Sequence, residues 1–385
     1  MTILFGITGS IAAYKSLNTI RLLVKAGHSV TPILTQACLR FITPWSVEAL
    51  AHRTPVIPNG DYANHIDLSG DCLVIAPATA NSIAKYANGI ADDPLSTLAL
   101  SFTGPKLIAP AMHDSMFRHP ATQRNLAQLR ADGWLVLGPD TGDLSGMDHG
   151  EGRLVESELI ALAAQQLAQG PLAQRPEDHI VITAGGTQVP IDAIRVISNR
   201  SSGRWGEMMA HVASLSGARV TLITSQPVRI QNPQVCVIHG DTVQSLQAAL
   251  TDTVASATHL YMMAAVSDFS VPMSPSKRSR ANTDALPLTP TPDILANLST
   301  PEHTIRVGFC LETDNLEATA SQKRIKKSCD YMVANDATTI GQTHRSFLIL
   351  SPTKTSQHTN LPLETAAQHV LAATQHLPTK TLAQR

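Results

Sequence analysis

With 385 residues and a formal net charge of −1, the chain exceeds the size at which one hydrophobic core usually stops growing, and it carries no bulk charge that would draw it to nucleic acid or an anionic membrane. Its five cysteines, Cys38, Cys72, Cys236, Cys310 and Cys329, are widely spaced without a C-x-x-C pair, which argues against a disulfide framework or thiolate zinc site and for a reducing compartment. No run approaches the roughly 18 apolar residues of a membrane span, so the expectation is a cytoplasmic, two-domain protein that handles small molecules.

Taken from the first residue, MTILFGITGS lacks a basic n-region and breaks at Gly6 and Gly9, which suits a first strand and turn better than a signal peptide. Short apolar runs follow, SVTPIL, CLVIAP and KLIAP, separated by amphipathic stretches such as IAAYKSLNTIRLLVKAG. Strands alternating with helices predict an α/β domain, Rossmann-like, with a parallel sheet covered on both faces. LIALAAQQLAQ closes that domain at residue 170, and the Gly- and Pro-bearing text after it predicts a linker over 171–178. HIVITAGG, MMAHVASLSGA and RVTLITS then restart the alternation, predicting a second Rossmann-like α/β domain over 179–385.

Three turns in the first domain follow strands and end in small residues: GITGSIAAYK, APATAN and APAMH. In an open parallel sheet such turns converge on one crevice outside the carboxyl ends of the strands, where backbone amides at helix starts can hold a phosphate. The full G-x-G-x-x-G fingerprint of dinucleotide binders is missing, which favours a mononucleotide such as FMN.

In order over residues 9–113, GSIAAYK, NHIDL, APATAN and PAMH closely resemble the phosphopantothenoylcysteine decarboxylase family of homo-oligomeric flavoproteins. The resemblance implies FMN contacts at Gly9, Ser10, Ala78, Thr79, Ala80 and Asn81, and a catalytic base at His65. Histidine suits that role because its pKa lies near 6.5 before any perturbation. Substrate contacts are implied at His113 and at Arg153 in the stretch TGDLSGMDHGEGRL. Two departures matter: many members have Asn in place of His113, and a flap cysteine, which helps complete the reductive half of the reaction, in place of Gly146. The donor of the final proton is therefore open.

The second domain begins ITAGGTQVPIDAIRVISNRSSG, and Ser-Ser-Gly before a helix serves either as a phosphate cradle or as an ordinary N-cap. The polar excursion between Gly185 and Gly203 is long for capping alone. Between Ser270 and Asp293 the chain is rich in proline and holds Lys277, Arg278 and Arg280, the composition of a mobile loop that covers a polyphosphate.

ISNRSSG, AAVSDF, TPDIL, GFCLET and KRIKK together closely resemble phosphopantothenate:cysteine ligase from residue 179 to about 350. That family activates a carboxylate with a nucleoside triphosphate, CTP in bacterial fusions, and lets cysteine attack the acyl nucleotide. The resemblance implies catalytic roles for Asn199 and the lid residue Lys277, with nucleotide contacts at Asp268, Lys277, Pro292, Asp293, Ile294, Leu295, Phe309, Lys323 and Lys327. Bringing two anions together calls for lysines and a Mg2+ ion to offset repulsion, and no side chain is singled out as its ligand. Arg278 and Arg280 compete with Lys277 for the lid role.

The implied assembly is a homo-oligomer, a dodecamer built from decarboxylase trimers and ligase dimers. Two rival readings of the first domain are a flavin-binding regulatory subunit and a decarboxylase of another C-terminal cysteine. The attached ligase argues against both, since its product would be the decarboxylase's substrate.

Overall fold

TILFGI is buried at five of its six positions and forms β1 (Thr2–Ile7), an interior strand of a five-stranded sheet in a computed structural model of the chain. The structure describes residues 1–58, 68–144, 146, 148–170, 175–279, 285–312, 314–336 and 341–378. They fall into two units, one from residues 1–170 with 229–234 and one from residues 175–228 and 235–378.

After β1 the first unit continues through α1 (Ala13–Lys25), β2 (Ser29–Leu34), α2 (Pro44–Ala51), β3 (Cys72–Ala78), α3 (Ala80–Ala87) and α4 (Pro94–Ser101). It closes with β4 (Lys106–Pro110), α5 (Asp114–Phe117), α6 (Pro120–Ala131), β5 (Leu135–Val136), the hairpin β6 (Asp140–Asp143) and β7 (His149–Arg153), and α7 (Ser157–Leu167). Helix starts are written into the sequence. Thr43, Thr79 and Asp93 accept a backbone N–H from the first turn of α2, α3 and α4, and Pro44, Pro94 and Pro120 stand at first helical positions, where a missing N–H costs nothing.

The five strands run parallel in the order β2-β1-β3-β4-β5. Connections leave β1 and β3 in opposite directions, which opens a crevice at their carboxyl ends. Leu4, Ile33, Leu73, Ile75, Ile83, Leu95 and Ile108 pack as the core beneath it.

The second unit comprises β8 (His179–Ala184), β9 (Gln188–Pro190), β10 (Val196–Ser198), α8 (Arg204–Ser214), β11 (Arg219–Thr224), β12 (Val235–His239), α9 (Val243–Val254) and β13 (His259–Met262). It continues through β14 (Phe269–Ser270), β15 (Thr289–Pro290), α10 (Ile294–Asn297), β16 (Ile305–Glu312), α11 (Leu316–Lys326), β17 (Tyr331–Asp336), β18 (His344–Leu350), β19 (Thr355–Pro362) and α12 (Leu363–Ala373). Its sheet has the order β12-β11-β8-β13-β16-β17-β18-β19, parallel as far as β17 and antiparallel beyond it. Here the order reverses between β8 and β13. Both units are α/β with Rossmann-like strand order, as the alternation of runs predicts.

Two stretches differ in detail from the sequence expectation. The polar excursion after Gly185 contains the antiparallel hairpin β9–β10. The described part of the proline-rich loop is anchored: β14 pairs with β15, the Ser274 amide donates to the Ile191 carbonyl at 3.0 Å, and the Arg278 amide donates to Asp192 Oδ2 at 3.1 Å. The cause is Asp192, almost completely buried, whose carboxylate also takes the Ile194 and Arg195 amides and the Arg195 guanidinium. These donors, Arg195 first, hold its carboxyl far below the usual range. Arg280 lies outside the described residues.

Candidate active sites

The crevice above β1 and β3 is an open cleft of about 720 Å³. Gly9, Ser10, Thr79 and Ala80 line it, together with Lys15, His113 and Arg153. Ala78 is completely buried at the end of β3 and Asn81 is exposed on α3; neither lines the cleft. His65 lies outside the described residues.

Gly9 is required by packing, since a Cβ there would lie 2.4 Å from the Cβ of Ala37. Ser10 turns the chain into α1: its Oγ accepts the Ala12 amide at 3.3 Å, and α1 itself starts without a side-chain cap. The Ala13 and Lys15 amides of that first turn donate to the Ser10 and Ala12 carbonyls at 3.0 Å, at the end of the helix that favours an anion. Thr79 caps α3 by accepting the Ser82 amide. Thr8, fully buried, joins the two turns: its hydroxyl donates to the Pro77 carbonyl at 2.7 Å and accepts the Thr79 amide at 3.1 Å.

The hairpin β6–β7 forms the outer wall. Gly152 comes so close to the β4–α5 turn that a Cβ would sit 2.1 Å from the Met112 carbonyl oxygen, which any side chain but hydrogen would prevent. The Met112 amide donates back to the Gly152 carbonyl at 2.9 Å, and the Glu151 amide donates to Asp114 Oδ1 at 2.9 Å. Two cations stand on this side. Arg153 and Lys15 share one carboxylate, that of Glu156, the former through a short hydrogen bond and the latter at 3.7 Å.

His113 caps the short helix α5 with its ring: Nδ1 accepts the Ser115 amide at 3.2 Å and lies 2.8 Å from Ser115 Oγ. Its Nε2 faces Asp148 Oδ2 on the hairpin at 3.4 Å. Gly146 lies in the same hairpin connection and presents no proton-exchanging group.

The crevice of the second unit holds about 520 Å³ above β8, β13 and β16. Gly185, at φ +85°, and Gly203, at φ +70°, make the turns into and out of the β9–β10 excursion. Residues 200–203 lead straight into α8, which starts at Gly203 with no side-chain cap. Gly206 lets α8 press on β8, since a Cβ there would meet the Ala184 Cβ at 2.6 Å. Glycines at the turn, at the helix start and within its first turn divide the work as in nucleotide-binding folds.

Asn199 lines this crevice, but its amide is engaged. Nδ2 donates to the carbonyls of Ala265 and Val266 at 3.1 and 3.2 Å, tying the excursion to the strand end after β13. Phe309 lines the crevice and packs edge-on against Trp205 at 5.4 Å, with Arg345 5.9 Å above the same indole.

The remaining candidates do not line this crevice. Lys323 pairs with Glu312, and Lys327 pairs with Asp293 at 3.2 Å. Cys310, on β16 nearby, has its thiol pushed up to about 11 by burial and by Glu312, against the opposing pull of Lys323 and Lys327. Asp293 caps α10, accepting the Ala296 amide; burial raises its pKa, yet that amide and Lys327 hold it below the usual carboxylate value. Ile294 and Leu295 are core residues, and Arg306 occupies the Leu295 carbonyl. Pro292 contributes at most its backbone, being without an N–H. Asp268 is exposed and its carbonyl accepts the Thr291 amide at 2.9 Å. Lys277 is exposed on the anchored loop and does not line the crevice.

Residues the sequence reading left out are Thr8, Lys15, Trp205 and Arg345. Thr8 and Lys15 had a signal, both standing in the quoted motif GITGSIAAYK; Trp205 and Arg345 reach their site from elements whose pairing no local pattern shows. Among the described residues no group of three or more His, Cys, Asp or Glu side chains is placed to hold a metal ion, and no helix is long and apolar enough to cross a membrane.

Comparison with known proteins covers both units. Residues 1–168 match the family described as Flavoprotein, and residues 176–377 match the family described as DNA/pantothenate metabolism flavoprotein C-terminal domain. A Mycobacterium tuberculosis protein named Coenzyme A biosynthesis bifunctional protein CoaBC is 38% identical over 357 residues, spanning 86% of this chain and 85% of its own. The proteins of the same name from Bacillus subtilis and Escherichia coli are 37% identical over 348 residues and 36% identical over 350, covering 87% of this chain and 85% and 86% of their own.

Proposed function

The chain belongs to the family of bifunctional coenzyme A biosynthesis proteins, and from that premise we propose that it carries out two consecutive reactions. The second unit ligates cysteine to 4'-phosphopantothenate with CTP through an acyl-cytidylate. The first unit then decarboxylates the product to 4'-phosphopantetheine with FMN. The observation that carries the reading is the presence of two separate crevices, each at a strand-order reversal, in one chain related to CoaBC proteins along both halves.

The first cleft fits FMN on its own chemistry. Capping threonine, Ser10 hydroxyl, uncapped α1 and Lys15 present donors and positive charge where a phosphate would enter, at the β1/β3 reversal that binds mononucleotides in sheets of this order. Gly9, Ser10 and the turn 78–81 would hold it, Ala78 through its backbone. When bound, the flavin supplies a reversible two-electron sink beside the thiol-bearing carbon. The protein's part is to place that carbon, with His65 as base, and to hold the substrate carboxylate between His113 and Arg153.

In the ligase unit, residues 200–203 and the start of α8 cradle an anion, while Phe309, Asp268, Lys323, Lys327 and the turn 292–295 form the nucleotide side. Lys323 and Lys327 are already neutralised by Glu312 and Asp293, so a triphosphate with Mg2+ enters by exchanging partners with them. Asn199 fixes the geometry of the acyl site, and Lys277 covers it from the anchored loop. The working assembly is a cytoplasmic dodecamer.

The test is a mass-spectrometric assay with 4'-phosphopantothenate, cysteine, CTP and Mg2+. Phosphopantetheine is the expected product. Accumulation of the cysteine adduct would remove the decarboxylase half, and no consumption of CTP would remove the ligase half.

A further inference from the structure

The outer wall of the first cleft contains two acid–base pairs and no thiol. On the hairpin, His149 Nδ1 pairs with Asp143 Oδ1 at 3.2 Å. Across the gap between hairpin and α5, His113 Nε2 pairs with Asp148 Oδ2 at 3.4 Å. Only the second of these has its imidazole among the residues that line the cleft. Other charges around His113 are committed elsewhere: Asp114 to the Arg118 guanidinium at 3.0 Å and the Glu151 amide at 2.9 Å, and Arg153 to Glu156.

Both nitrogens of the His113 ring have partners. Nδ1 accepts the Ser115 amide while neutral; when protonated it can donate to the Ser115 hydroxyl, 2.8 Å away, because that hydroxyl rotates. Nε2, which Asp148 Oδ2 faces at 3.4 Å, is the ring nitrogen a ligand in the cleft would meet, in exchange for that carboxylate.

The chemistry calls for an acid at this position. Loss of carbon dioxide breaks a C–C bond and leaves its electron pair on the carbon that bore the carboxylate, delocalised onto the neighbouring thiocarbonyl sulfur. That carbon must gain a proton before the thiol-bearing carbon can recover the two electrons it gave up, which bound FMN would supply. Carboxylate is replaced by hydrogen with no outside oxidant. A cation that held the departing carboxylate is the group closest to the new carbanion.

Resting on the decarboxylase reading above, we propose that His113 delivers this proton from Nε2, with Asp148 as the positioning residue that orients the ring in the cleft, so that the pair takes the place a flap thiol would fill at Gly146. The N–H bond of Nε2 breaks as the C–H bond forms, and its electron pair stays on the ring.

The test is an anaerobic single turnover of the FMN-loaded full chain with phosphopantothenoylcysteine in deuterated water. The wild-type protein should release carbon dioxide and give the saturated thiol with deuterium on the former carboxylate-bearing carbon. His113→Asn keeps an amide to hold the carboxylate and has no acid proton to give. It should still release carbon dioxide, form the saturated thiol about 10²-fold more slowly, accumulate the dehydro thiol, and leave the flavin bleached. Asp148→Asn should shift the saturated-to-dehydro ratio in the same direction, and Asp148→Glu should restore it.

Saturated product at the wild-type rate from His113→Asn overturns the assignment. Should that variant lose its flavin, a wild-type product ratio in Asp148→Asn overturns it instead. If the wild-type chain with bound FMN releases no carbon dioxide, the decarboxylase reading itself falls.

Discussion

Thr8 and Thr79, from opposite sides of the strand-order reversal, share a hydrogen bond of 3.1 Å, with the Thr79 amide donating to the Thr8 hydroxyl. That hydroxyl donates in turn to the Pro77 carbonyl, so one buried side chain sets the spacing of the two turns expected to grip the flavin phosphate. Thr8→Val leaves the amide facing a methyl group, a cost of about 1–3 kcal/mol. We expect flavin retention after gel filtration to fall severalfold in Thr8→Val and to recover in Thr8→Ser. Full flavin in the valine variant would mean that the strap does not shape the site.

Gly206→Ala should separate the two activities. The added methyl would sit 2.6 Å from the Ala184 Cβ and 3.4 Å from the Thr183 carbonyl oxygen, pushing α8 off β8 at a cost of about 1–3 kcal/mol. Ligation falls because the start of α8 forms the anion cradle. Decarboxylation of supplied phosphopantothenoylcysteine stays at the wild-type rate, and carbon dioxide release measures it.

Asn199→Asp points a carboxylate at two carbonyl oxygens in place of an amide that donates to both. Repulsion there should lower adduct formation by about 10²-fold, equivalent to about 2.7 kcal/mol. It should also lower the melting temperature of the ligand-free chain. Loss of activity at an unchanged melting temperature would return Asn199 to a purely substrate-facing role.

Acid should weaken the second unit first. His259, the first residue of β13, is buried, with Arg175 Nη2 donating to its Nε2 at 2.8 Å. Burial, and then the Arg175 charge, lower its pKa to about 4. Because the folded value lies below the unfolded value of about 6.5, the unfolded chain binds the proton more readily, and stability present above pH 6.5 is lost as pH falls through 4. The loss is on the order of 3 kcal/mol. Calorimetry of the full chain between those pH values should show it, and His259→Gln should flatten the profile.

Strands β1–β4, β8 and β11 were legible in the sequence because strands buried on both faces read as unbroken apolar runs; the antiparallel strands β18 and β19, half exposed, were not. CLVIAP and HIVITA became β3 and β8 with their bounds nearly as written. Side-chain commitments were not legible. The resemblance implies Lys323 and Lys327 as nucleotide contacts, yet Glu312 and Asp293, from other elements, pair with them. The loop holding Lys277 read as mobile because proline and charge dominate its composition, and what pins its described part is a carboxylate some eighty positions earlier, Asp192. Ile294 and Leu295 carry a family motif and face the core, so any nucleotide contact there belongs to backbone alone.

Glu156 gives the first cleft a property that its list of cations conceals. Lys15 and Arg153 together bear two positive charges, but the carboxylate they share leaves the trio at +1. An anion arriving there displaces a resident anion, so entry is an exchange between carboxylate and ligand. Affinity for a phosphate-bearing molecule should therefore fall with added salt as one released counterion predicts, and Glu156→Gln should steepen that dependence while tightening the grip. Product would leave slowly from such a variant, which makes the shared carboxylate a determinant of turnover as well as of binding.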